Sequence, residues 1–272
     1  MKIAVVILHF GDLRITKNCV DSIWQFKDKF NNLIIVNNDP QILVEDHFAR
    51  HKKITFLNTQ KNIGFAAAVN KGITLALKEG ADAILLLNND TKIKKDIVTP
   101  LTDALKQDKE ASIVGPVIKS RKNGEVFYDY GGYVSQWLGQ TRHDEKDHML
   151  RTVPIKVPYI SGCAMMIRRE VFEGIGYFDE QYFMYYEDVD FCLRAAEKGF
   201  ATFVITDAII QHELGASSRA FPANTVYHLI RSRILFRRSH HYALGVLFDL
   251  YKSAVFALKK PTTLFKIVSA WR

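Results

Sequence analysis

The first two hundred residues alternate between short apolar runs and segments with helical periodicity. Near-continuous apolar runs occur in IAVVILHF, NLIIVNND, ITFLNT and DAILLLNND. The stretches RITKNCVDSIWQF and GFAAAVNKGITLALKEG instead place apolar residues at helical spacing. Apolar strands that alternate with helices indicate a mostly parallel sheet that is covered on both faces. The pattern therefore predicts an α/β fold.

The pattern changes in the second half of the chain. Residues 119–158 combine glycine turns with mixed charge and weak periodicity, which predicts short strands and a mobile loop. YISGCAMMIRREVFEGIG then predicts a strand followed by a helix, and FATFVITDAIIQHE predicts one or two strands. The last part is basic, amphipathic and mostly helical. We therefore expect a domain of residues 1–218 and a helical C-terminal region of residues 219–272.

The excess of positive charge lies in this C-terminal region. The chain has 37 Lys and Arg residues against 29 Asp and Glu, a net charge of +8. Ten of the basic residues follow residue 218, where Asp249 is the one acid, so the rest of the chain has a net charge of −1. A neutral body with a basic tail favours contact with an anionic surface, either phospholipid or nucleic acid.

The apolar part of the tail is too short to cross a bilayer. It runs from Ala243 to Leu258 and contains Asp249 and Lys252, whereas a spanning helix needs about 20 apolar residues. A helix that lies in the membrane interface fits this composition. A pair of helices packed on the domain, with a solvated basic face, fits it equally well.

Cysteine usage and the N-terminus favour a cytoplasmic protein. The chain has three widely spaced cysteines and no CxxC motif, so neither a zinc site nor a disulfide framework is indicated. We expect these thiols to be reduced and buried. The opening MKIAVVILHFGD predicts a first β-strand and not a signal peptide.

Polar residues at the strand ends and one acidic stretch are the candidates for chemistry. HFGD and two copies of NND follow apolar runs, and α/β sheets bind ligands at the carboxyl ends of their strands. In FMYYEDVDFCLRAAEKGF, three carboxylates follow a cluster of aromatic rings. Asp188 as an N-cap and Asp190 in the first helical turn would explain part of this stretch. Capping leaves Glu187 and the rings unexplained.

Four segments, taken in order, resemble family 2 glycosyltransferases, and in particular the rhamnosyltransferase-like branch of bacterial polysaccharide synthesis. They are NIGFAAAVNKGI, ILLLNNDT, the stretch from YISGCAMM to AAEKGF, and IIQHELGAS, and the resemblance runs from about Lys2 to Ser218. It implies a GT-A fold with a Rossmann-like sheet. It also implies inverting, Mg²⁺- or Mn²⁺-dependent transfer of a sugar from a nucleotide-sugar donor. A dTDP- or UDP-sugar is favoured, with rhamnose as the sugar and a glycan or polyprenyl-linked saccharide as acceptor.

The resemblance assigns the metal and the base to three residues. Asp90 is the acid of LLNNDT, and a hard cation that bridges a diphosphate prefers carboxylate oxygen. His212 is its expected partner, since neutral imidazole suits Mn²⁺. Asp188 is the expected catalytic base, because a sugar hydroxyl needs an ionised carboxylate to take its proton. A turn or cap at Asp90 and a structural role for His212 are the ordinary alternatives.

The donor and acceptor sides follow from the same motifs. Family members usually carry Asp at the place of Asn37, so either the Asn37 carbonyl or Asp39 would accept from the nucleotide base. The expected donor-binding residues are His9, Gly11, Asn37, Asp39, Asn62, Gly64, Phe65, Asn70, Asn88, Asn89 and Gly162. The expected acceptor-binding residues are Tyr185, Tyr186, Glu187 and Asp190.

Two other functions remain open from the residues alone. A sugar nucleotidyltransferase shares the α/β sheet but needs a glycine-rich, basic phosphate loop after the first strand, which LHFGDLRIT matches poorly. A nucleic-acid-binding protein could use the basic tail but would leave Asp90 and the acidic stretch without a purpose. We therefore expect no nucleic-acid partner. The expected location is the cytoplasm, with peripheral binding to the anionic inner face of the cell membrane.

Overall fold

Eleven strands among the described residues join into one mixed sheet with α-helices on both faces. The computed structural model describes residues 1–48, 51, 53–122, 124–146, 153–212 and 222–259. The strands are β1 (Ile3–His9), β2 (Asn32–Asn37), β3 (Ile54–Asn58), β4 (Ala83–Asn88), β5 (Thr91–Ile93), β6 (Ala111–Lys122), β7 (Glu125–Val134), β8 (Thr141–Lys146), β9 (Ile155–Lys156), β10 (Ala164–Arg168) and β11 (Ala201–His212). The helices are α1 (Leu13–Trp24), α2 (Phe65–Lys78), α3 (Val98–Gln107), α4 (Arg169–Ile175), α5 (Glu187–Glu197), α6 (Pro222–Ser239) and α7 (Ala243–Lys259).

The N-terminal half of the sheet is parallel, in the order β3-β2-β1-β4. These strands read as unbroken apolar runs because both of their faces are covered. In β1, Ala4 and Val6 join the core under α2, whereas Val5 and Ile7 join the core under α1 and α3. The predicted α/β fold is thereby confirmed, and polar strand ends gather at one edge.

The second half of the sheet adds antiparallel pairs. β10 runs antiparallel between β4 and β6, and the β6, β7 and β8 strands form an antiparallel meander. β11 is parallel to β6 and antiparallel to β5 and β9, and its register shifts between Ile205 and Ile209. The sheet is therefore mixed rather than uniformly parallel. The tight connection between β6 and β7 requires antiparallel pairing, because parallel neighbours need a long crossover.

The first C-terminal helix packs against the loop that precedes α5. Phe236 is fully buried in the core that α2 and α5 share. Ser232 Oγ donates to the Met184 carbonyl at 2.8 Å, and Arg231 Nη1 donates to the Gln181 carbonyl at 2.7 Å. The predicted helical tail is confirmed for residues 222–259. Its division from the domain at residue 218 stays a prediction.

The second C-terminal helix is joined to the first by a buried ion cluster. Asp249 of α7 is 1% exposed and pairs with Arg233 at 2.9 Å and with Arg237 at 2.5 Å. The burial of one acid between two arginines is tolerated because all three side chains are paired, which offsets the cost of removing their charges from water.

None of the described helices has the length and hydropathy to span a bilayer. The three cysteines are buried and free, as expected.

Candidate active site

The ends of β4 and β11 bring Asp90 and His212 together. Asp90 follows β4 by two residues, and His212 is the last residue of β11. Because β11 pairs antiparallel with β5, His212 lies opposite Thr91, the residue directly after Asp90. Asp90 Oδ1 and His212 Nε2 are 3.1 Å apart. The two predicted metal ligands are therefore neighbours in space.

The Asp90–His212 pair fits one side of a divalent-metal site. Asp90 is 7% exposed, and its Oδ1 makes no hydrogen bond in spite of the nearby imidazole. A buried carboxylate oxygen without a hydrogen bond, next to an imidazole nitrogen, is a donor set that suits Mn²⁺. Among the described residues, no cluster of three or more His, Cys, Asp or Glu side chains is found. The protein would thus supply two ligands, and cations of this kind commonly take others from substrate phosphates and water.

The other residues of this strand end form a buried polar network. Asn89 Nδ2 donates to Thr16 Oγ1 at 2.9 Å, and the same oxygen lies 2.7 Å from His9 Nδ1. Burial lowers the pKa of His9, although the charges of Asp39 and Asp12 oppose the shift. His9 Nε2 is buried without a hydrogen-bond partner. His9 is therefore a neutral imidazole with one polar atom to offer, whereas Asn89 serves the network and Asn88 is partly exposed.

Asn37 and Asp39, the two residues predicted to contact the nucleotide base, differ in how many of their polar atoms are already hydrogen-bonded within the protein. Asn37 donates to the Ile42 carbonyl at 2.7 Å and to Asn58 Oδ1 at 2.8 Å, and its own Oδ1 accepts from the Asp39 N–H at 3.1 Å. Asp39 is less buried, and its Oδ2 accepts from the Gly11 N–H at 3.2 Å. The structure thus places Asn37 inside the loop and brings Asp39 and Gly11 to its edge.

The N-x-G-F motif connects α2 to the loop before α5. Gly64 has φ +87°, and a Cβ there would lie 2.6 Å from the Phe183 carbonyl oxygen, to which the Phe65 N–H also donates at 2.6 Å. Asn62 Oδ1 accepts from the Gly64 N–H at 3.0 Å and from Asn38 Nδ2 at 2.9 Å. The absence of a side chain at Gly64 therefore permits close contact with the backbone of Phe183. A donor contact at these positions stays a prediction.

Asn70 makes a similar internal link. Its Nδ2 donates to the Phe178 carbonyl at 2.9 Å and to Glu180 Oε1 at 3.1 Å, and its Oδ1 accepts from the Phe178 N–H at 3.2 Å. The side chain is buried, with every polar atom paired. Asn70 therefore holds the segment that leads into the acidic motif. It has no unpaired polar atom left for the predicted contact with the donor.

The acidic motif begins α5 with an unusual backbone. The helix starts at Glu187, and its N-cap is Tyr186 and not Asp188 as the capping interpretation supposed. Tyr185 and Tyr186 have φ of 69° and 70°, in the left-handed region. Such a conformation costs a non-glycine residue about 1–3 kcal/mol and is concentrated at functional sites. Two consecutive residues of this kind set the direction in which the first turn of α5 presents its carboxylates.

Asp188 is held by two backbone N–H groups. Its Oδ2 accepts from the Gly162 N–H and its Oδ1 from the Val189 N–H, both at 2.8 Å. Burial raises the pKa of Asp188, while these two hydrogen bonds and the charge of His143 lower it in part. Gly162 was expected on the donor side, and its observed contact is with Asp188, the predicted catalytic base: a Cβ on Gly162 would lie 3.3 Å from Asp188 Cβ. The result is a fixed carboxylate of raised basicity.

Glu187 has the opposite surroundings. It is 7% exposed, and its Oε2 is buried without a partner. Burial and then the charge of Asp188 raise its pKa well above the usual value. Because Asp188 has the N–H donors, we place the negative charge of this pair on Asp188 and the proton on Glu187. A neutral carboxyl at Glu187 can donate a hydrogen bond, which suits the predicted acceptor contact.

Asp190 faces the C-terminal helices. Its Oδ2 lies 2.8 Å from Arg194 Nε, and its Oδ1 lies 2.9 Å from His240 Nε2 on the turn after α6. Burial would raise the pKa of Asp190, but His240 and Arg194 together bring it below the usual value. Asp190 therefore joins α5 to the C-terminal helices. Its predicted acceptor contact stays a prediction, with both oxygens already paired.

The aromatic residues before α5 are divided between core and cleft. Tyr186 packs on Phe236 of α6 with ring centroids 5.2 Å apart, and its hydroxyl lies 3.5 Å from Thr141 Oγ1. Phe183 stacks on His228 of α6 at 4.3 Å. Tyr185 and Tyr186 are both partly exposed. Both tyrosine rings are therefore partly accessible to an acceptor, and their stacking against it stays a prediction.

The sequence analysis missed a polar pair in the β7–β8 hairpin. His143 Nδ1 lies 2.8 Å from Asp129 Oδ2, and the His143 ring meets the edge of the Tyr159 ring at 5.4 Å. The segment from Tyr159 leads to Gly162 and so to Asp188. A histidine in a segment of weak periodicity gave no signal, because only the long-range pairing of β7 with β8 brings it to the site.

Comparison with known proteins shows the family of the chain. The family model described as Glycosyl transferase family 2 matches residues 4–176. The dTDP-rhamnosyl transferase RfbF of Shigella flexneri is 25% identical over 249 residues, which cover 89% of this chain and 81% of that protein. The N-acetylglucosaminyl-diphospho-decaprenol L-rhamnosyltransferase of Mycobacterium tuberculosis is 26% identical over 227 residues, covering 74% and 71%.

A solved structure supports the fold. The crystal structure of GalNAc-T7 with UDP, GalNAc and Mn²⁺ superimposes with a TM-score of 0.67 at 14% identity. The match covers 87% of this chain but 47% of the other, so this chain spans about half the length of that protein. At this identity the likeness concerns the GT-A-like fold alone. The family match and the two relatives show that the chain is a glycosyltransferase and belongs to glycosyltransferase family 2, among its bacterial rhamnosyltransferase-like members.

Proposed function

We propose that the protein transfers a sugar, with rhamnose favoured, from a dTDP- or UDP-sugar to a saccharide acceptor with inversion at the anomeric carbon. The observation that carries the proposal is the convergence of Asp90 and His212, 3.1 Å apart, at the strand ends. This pair would hold Mg²⁺ or Mn²⁺. When bound, the cation supplies charge neutralisation for the leaving diphosphate. The names of the rhamnosyltransferase relatives favour the sugar.

Asp188 would act as the base. Two N–H groups fix its carboxylate, and its position in the first turn of α5 lets the helix dipole favour the charged form. In the proposed step, an acceptor hydroxyl gives its proton to Asp188 as its oxygen attacks the anomeric carbon. The bond to the donor phosphate breaks with its electron pair on the phosphate oxygen. One attack on the face opposite the leaving group inverts the configuration.

The remaining polar groups would recognise the substrates. Asp39, His9 and Gly11 lie around the ends of β1 and β2, and Asp39 is the better placed of the two candidates for the nucleotide base. Neutral Glu187 and the Tyr185 and Tyr186 rings lie on the acceptor side of Asp188. The decaprenol-linked acceptor in the name of one relative supports a polyprenyl-linked saccharide as acceptor.

The acceptor proposal fits a surface on the C-terminal helices, here named the α7 face. It consists of Leu244, Leu247, Phe248 and Tyr251, which are all exposed and lie on one side of α7. This spacing makes one apolar stripe along a helix. Exposed Lys252 borders it, with its Nζ 4.5 Å from the centroid of the Phe248 ring. We propose that the α7 face lies against the anionic inner leaflet of the membrane, beside a lipid-linked acceptor.

Transfer assays with defined donors test the proposed function. Wild-type protein would be incubated with dTDP-rhamnose, UDP-glucose or UDP-N-acetylglucosamine, a polyprenyl-diphosphate saccharide, and Mn²⁺ or EDTA. We expect metal-dependent formation of a lengthened saccharide, most readily from dTDP-rhamnose. The Asp90→Ala variant should bind nucleoside diphosphate more weakly than wild type only when Mn²⁺ is present. Full transfer in excess EDTA would refute the metal assignment, and no transfer from any nucleotide sugar would refute the function.

A further inference from the structure

The β7–β8 hairpin holds an acid–imidazole pair that the proposed mechanism does not use. His143 Nδ1 is 2.8 Å from Asp129 Oδ2, and the other oxygen of Asp129 accepts from the Gly131 N–H at 2.8 Å. Asp129 is nearly buried, whereas the His143 side chain is 38% exposed. With Nδ1 fixed on Asp129, His143 Nε2 has no hydrogen-bond partner among the described residues. An imidazole held at one nitrogen and open at the other is arranged to act on something beyond the hairpin.

The hairpin is connected to Asp188 through one short segment. Gly132, the cross-strand partner of His143, donates its N–H to the Tyr159 carbonyl at 2.9 Å. The Tyr159 ring lies over Gly132 so closely that a Cβ there would be 2.1 Å from it, and the ring edge meets His143. Three residues later, the Gly162 N–H binds Asp188 Oδ2. The position of His143 relative to Asp188 is therefore set by a continuous chain of contacts.

The charges of His143 and Asp188 act on each other. Burial lowers the pKa of His143, but Asp129, Asp188 and Glu145 together bring it above the usual value. A protonated His143 in turn lowers the pKa of Asp188 against the effect of burial. The charged form of each group therefore favours the charged form of the other.

The other titratable groups around Asp188 do not supply a positive charge. They are Glu187 on α5, Cys192 on the same helix, and Tyr159 and Cys163 on the strand side. Burial raises the pKa of each of them, that of Cys192 to about 12. Carboxyl, thiol and phenol groups carry no positive charge in either protonation state. His143 is the neighbour whose cationic form can compensate the partly buried carboxylate of Asp188.

We propose that Asp129 and His143 form a positioning pair, in which Asp129 holds a protonated His143 that keeps the carboxylate of Asp188 ionised. The inference rests on the proposed role of Asp188 as base and deepens it. It explains how a carboxylate can be buried enough to be basic and still be charged before the acceptor arrives. His143 touches no reacting atom in this proposal and acts through Asp188.

The pH profile of the transfer reaction tests the positioning pair. In His143→Gln the polar side chain remains but the positive charge is lost, so we expect the acid limb of kcat to move to higher pH by about one unit. His143→Lys restores a positive charge, so the acid limb of kcat should lie close to its wild-type pH. Asp129→Asn should move it in the same direction by less, because His143 then protonates only at lower pH. A uniform loss of kcat at every pH, with no shift of the limb, would indicate a merely structural role and overturn the proposal.

A direct titration separates this inference from the function on which it rests. Carboxyl ¹³C NMR, assigned with Asp188→Asn, would give the pKa of Asp188 in wild type and in His143→Gln without any turnover. A higher pKa in His143→Gln supports the pair, and an unchanged pKa refutes it. If Asp188→Asn retained wild-type transfer, the assignment of the base would fail instead. The two failures are therefore distinguishable.

Discussion

Asp188 and Glu187 are adjacent carboxylates with different surroundings. Asp188 accepts two backbone N–H groups, whereas Glu187 Oε2 is buried without a partner. Environments that separate the ionisation of two neighbouring acids assign them different roles. Asp188 is thereby suited to accept a proton, and Glu187 to donate a hydrogen bond.

At Asp188, we expect Asp188→Asn to lower kcat by about 10²-fold or more, with donor affinity within about twofold of wild type. The amide oxygen can still accept from the Gly162 N–H, but it cannot take up a proton at neutral pH. Single-turnover kinetics and calorimetric titration with nucleoside diphosphate measure the two quantities. Near-normal turnover in the folded variant would remove Asp188 as base.

At Glu187, the raised pKa makes a prediction about stability. The folded-state pKa lies above the unfolded value, so stability from this group is fully present below the unfolded pKa. It is lost as pH rises through the folded pKa. Glu187→Gln stays neutral and avoids that loss. We expect its stability relative to wild type to increase between pH 4 and pH 8, by about 1.4 kcal/mol for each unit by which the pKa is raised.

Denaturant unfolding across this pH range provides the measurement for Glu187→Gln. The matched control is Glu197→Gln at the other end of α5, where the side chain is exposed. The control should show no comparable trend. A stability difference that stays constant with pH would mean that Glu187 is ionised in the folded protein.

At the scale of elements, the site depends on how α2 meets the loop before α5. Gly64 has φ +87° and no space for a Cβ beside Phe183, whereas Gly80 after α2 has φ +84° and open space around it. Alanine is disfavoured at a positive φ at either position, and Gly64, with φ +87° and ψ 173°, lies in a region that is essentially confined to glycine. We expect Gly64→Ala to cost more than Gly80→Ala, and also to reduce kcat by displacing Phe183 and the first turn of α5.

Thermal unfolding and transfer rates of the two alanine variants measure this effect. Both variants place alanine at a positive φ, so the difference between them reports the contact with Phe183 together with the cost of the extended ψ at Gly64. Equal stability and equal activity of the two would show that this contact does not hold the acidic motif in place.

Elements with strong local patterns could be predicted, and so could their ends. β4 and Asp90 follow from an apolar run that stops at polar residues, and the motif around His212 placed it beside Asp90. The rest of that motif, from residue 213, lies outside the described residues. The N-cap of α5 was placed two residues too late, at Asp188 instead of Tyr186, because nothing in a Tyr-Tyr pair signals two left-handed residues. His143 could not be found, since β7 and β8 pair with a register shift between Asp129 and Gly132.

At the scale of the whole molecule, the C-terminal helices serve two purposes. α6 contributes Phe236 to the core, and His240 just after α6 pairs with Asp190 of α5. α7 carries the exposed apolar α7 face. Arg233 and Arg237 of α6 are both paired with Asp249 of α7. Fewer basic side chains are therefore free for an anionic surface than the sequence suggested. Membrane binding through α7 should therefore depend chiefly on apolar contact.

This division determines how membrane binding should be tested. Removing the chain from residue 222 would also remove Phe236 and His240 and so disturb α5. Replacing Leu247 and Phe248 together by Glu changes only exposed side chains of the α7 face and leaves the Asp249 cluster intact. Leu43→Glu is the control, because Leu43 is a comparably exposed leucine, at 71%, in the segment after β2 and not on α7.

We expect wild type and Leu43→Glu to co-sediment with vesicles that contain anionic lipid. The double Glu variant should bind at least about tenfold more weakly, since each large apolar side chain contributes about 1.5–3 kcal/mol when fully buried. High salt should weaken wild-type binding only in part, because it screens charge but not apolar insertion. Unchanged unfolding temperature and nucleoside diphosphate binding would establish that the variant is folded. Equal sedimentation of all three proteins would contradict the role of the α7 face, whereas binding that salt abolishes completely would place the contact on the basic residues instead.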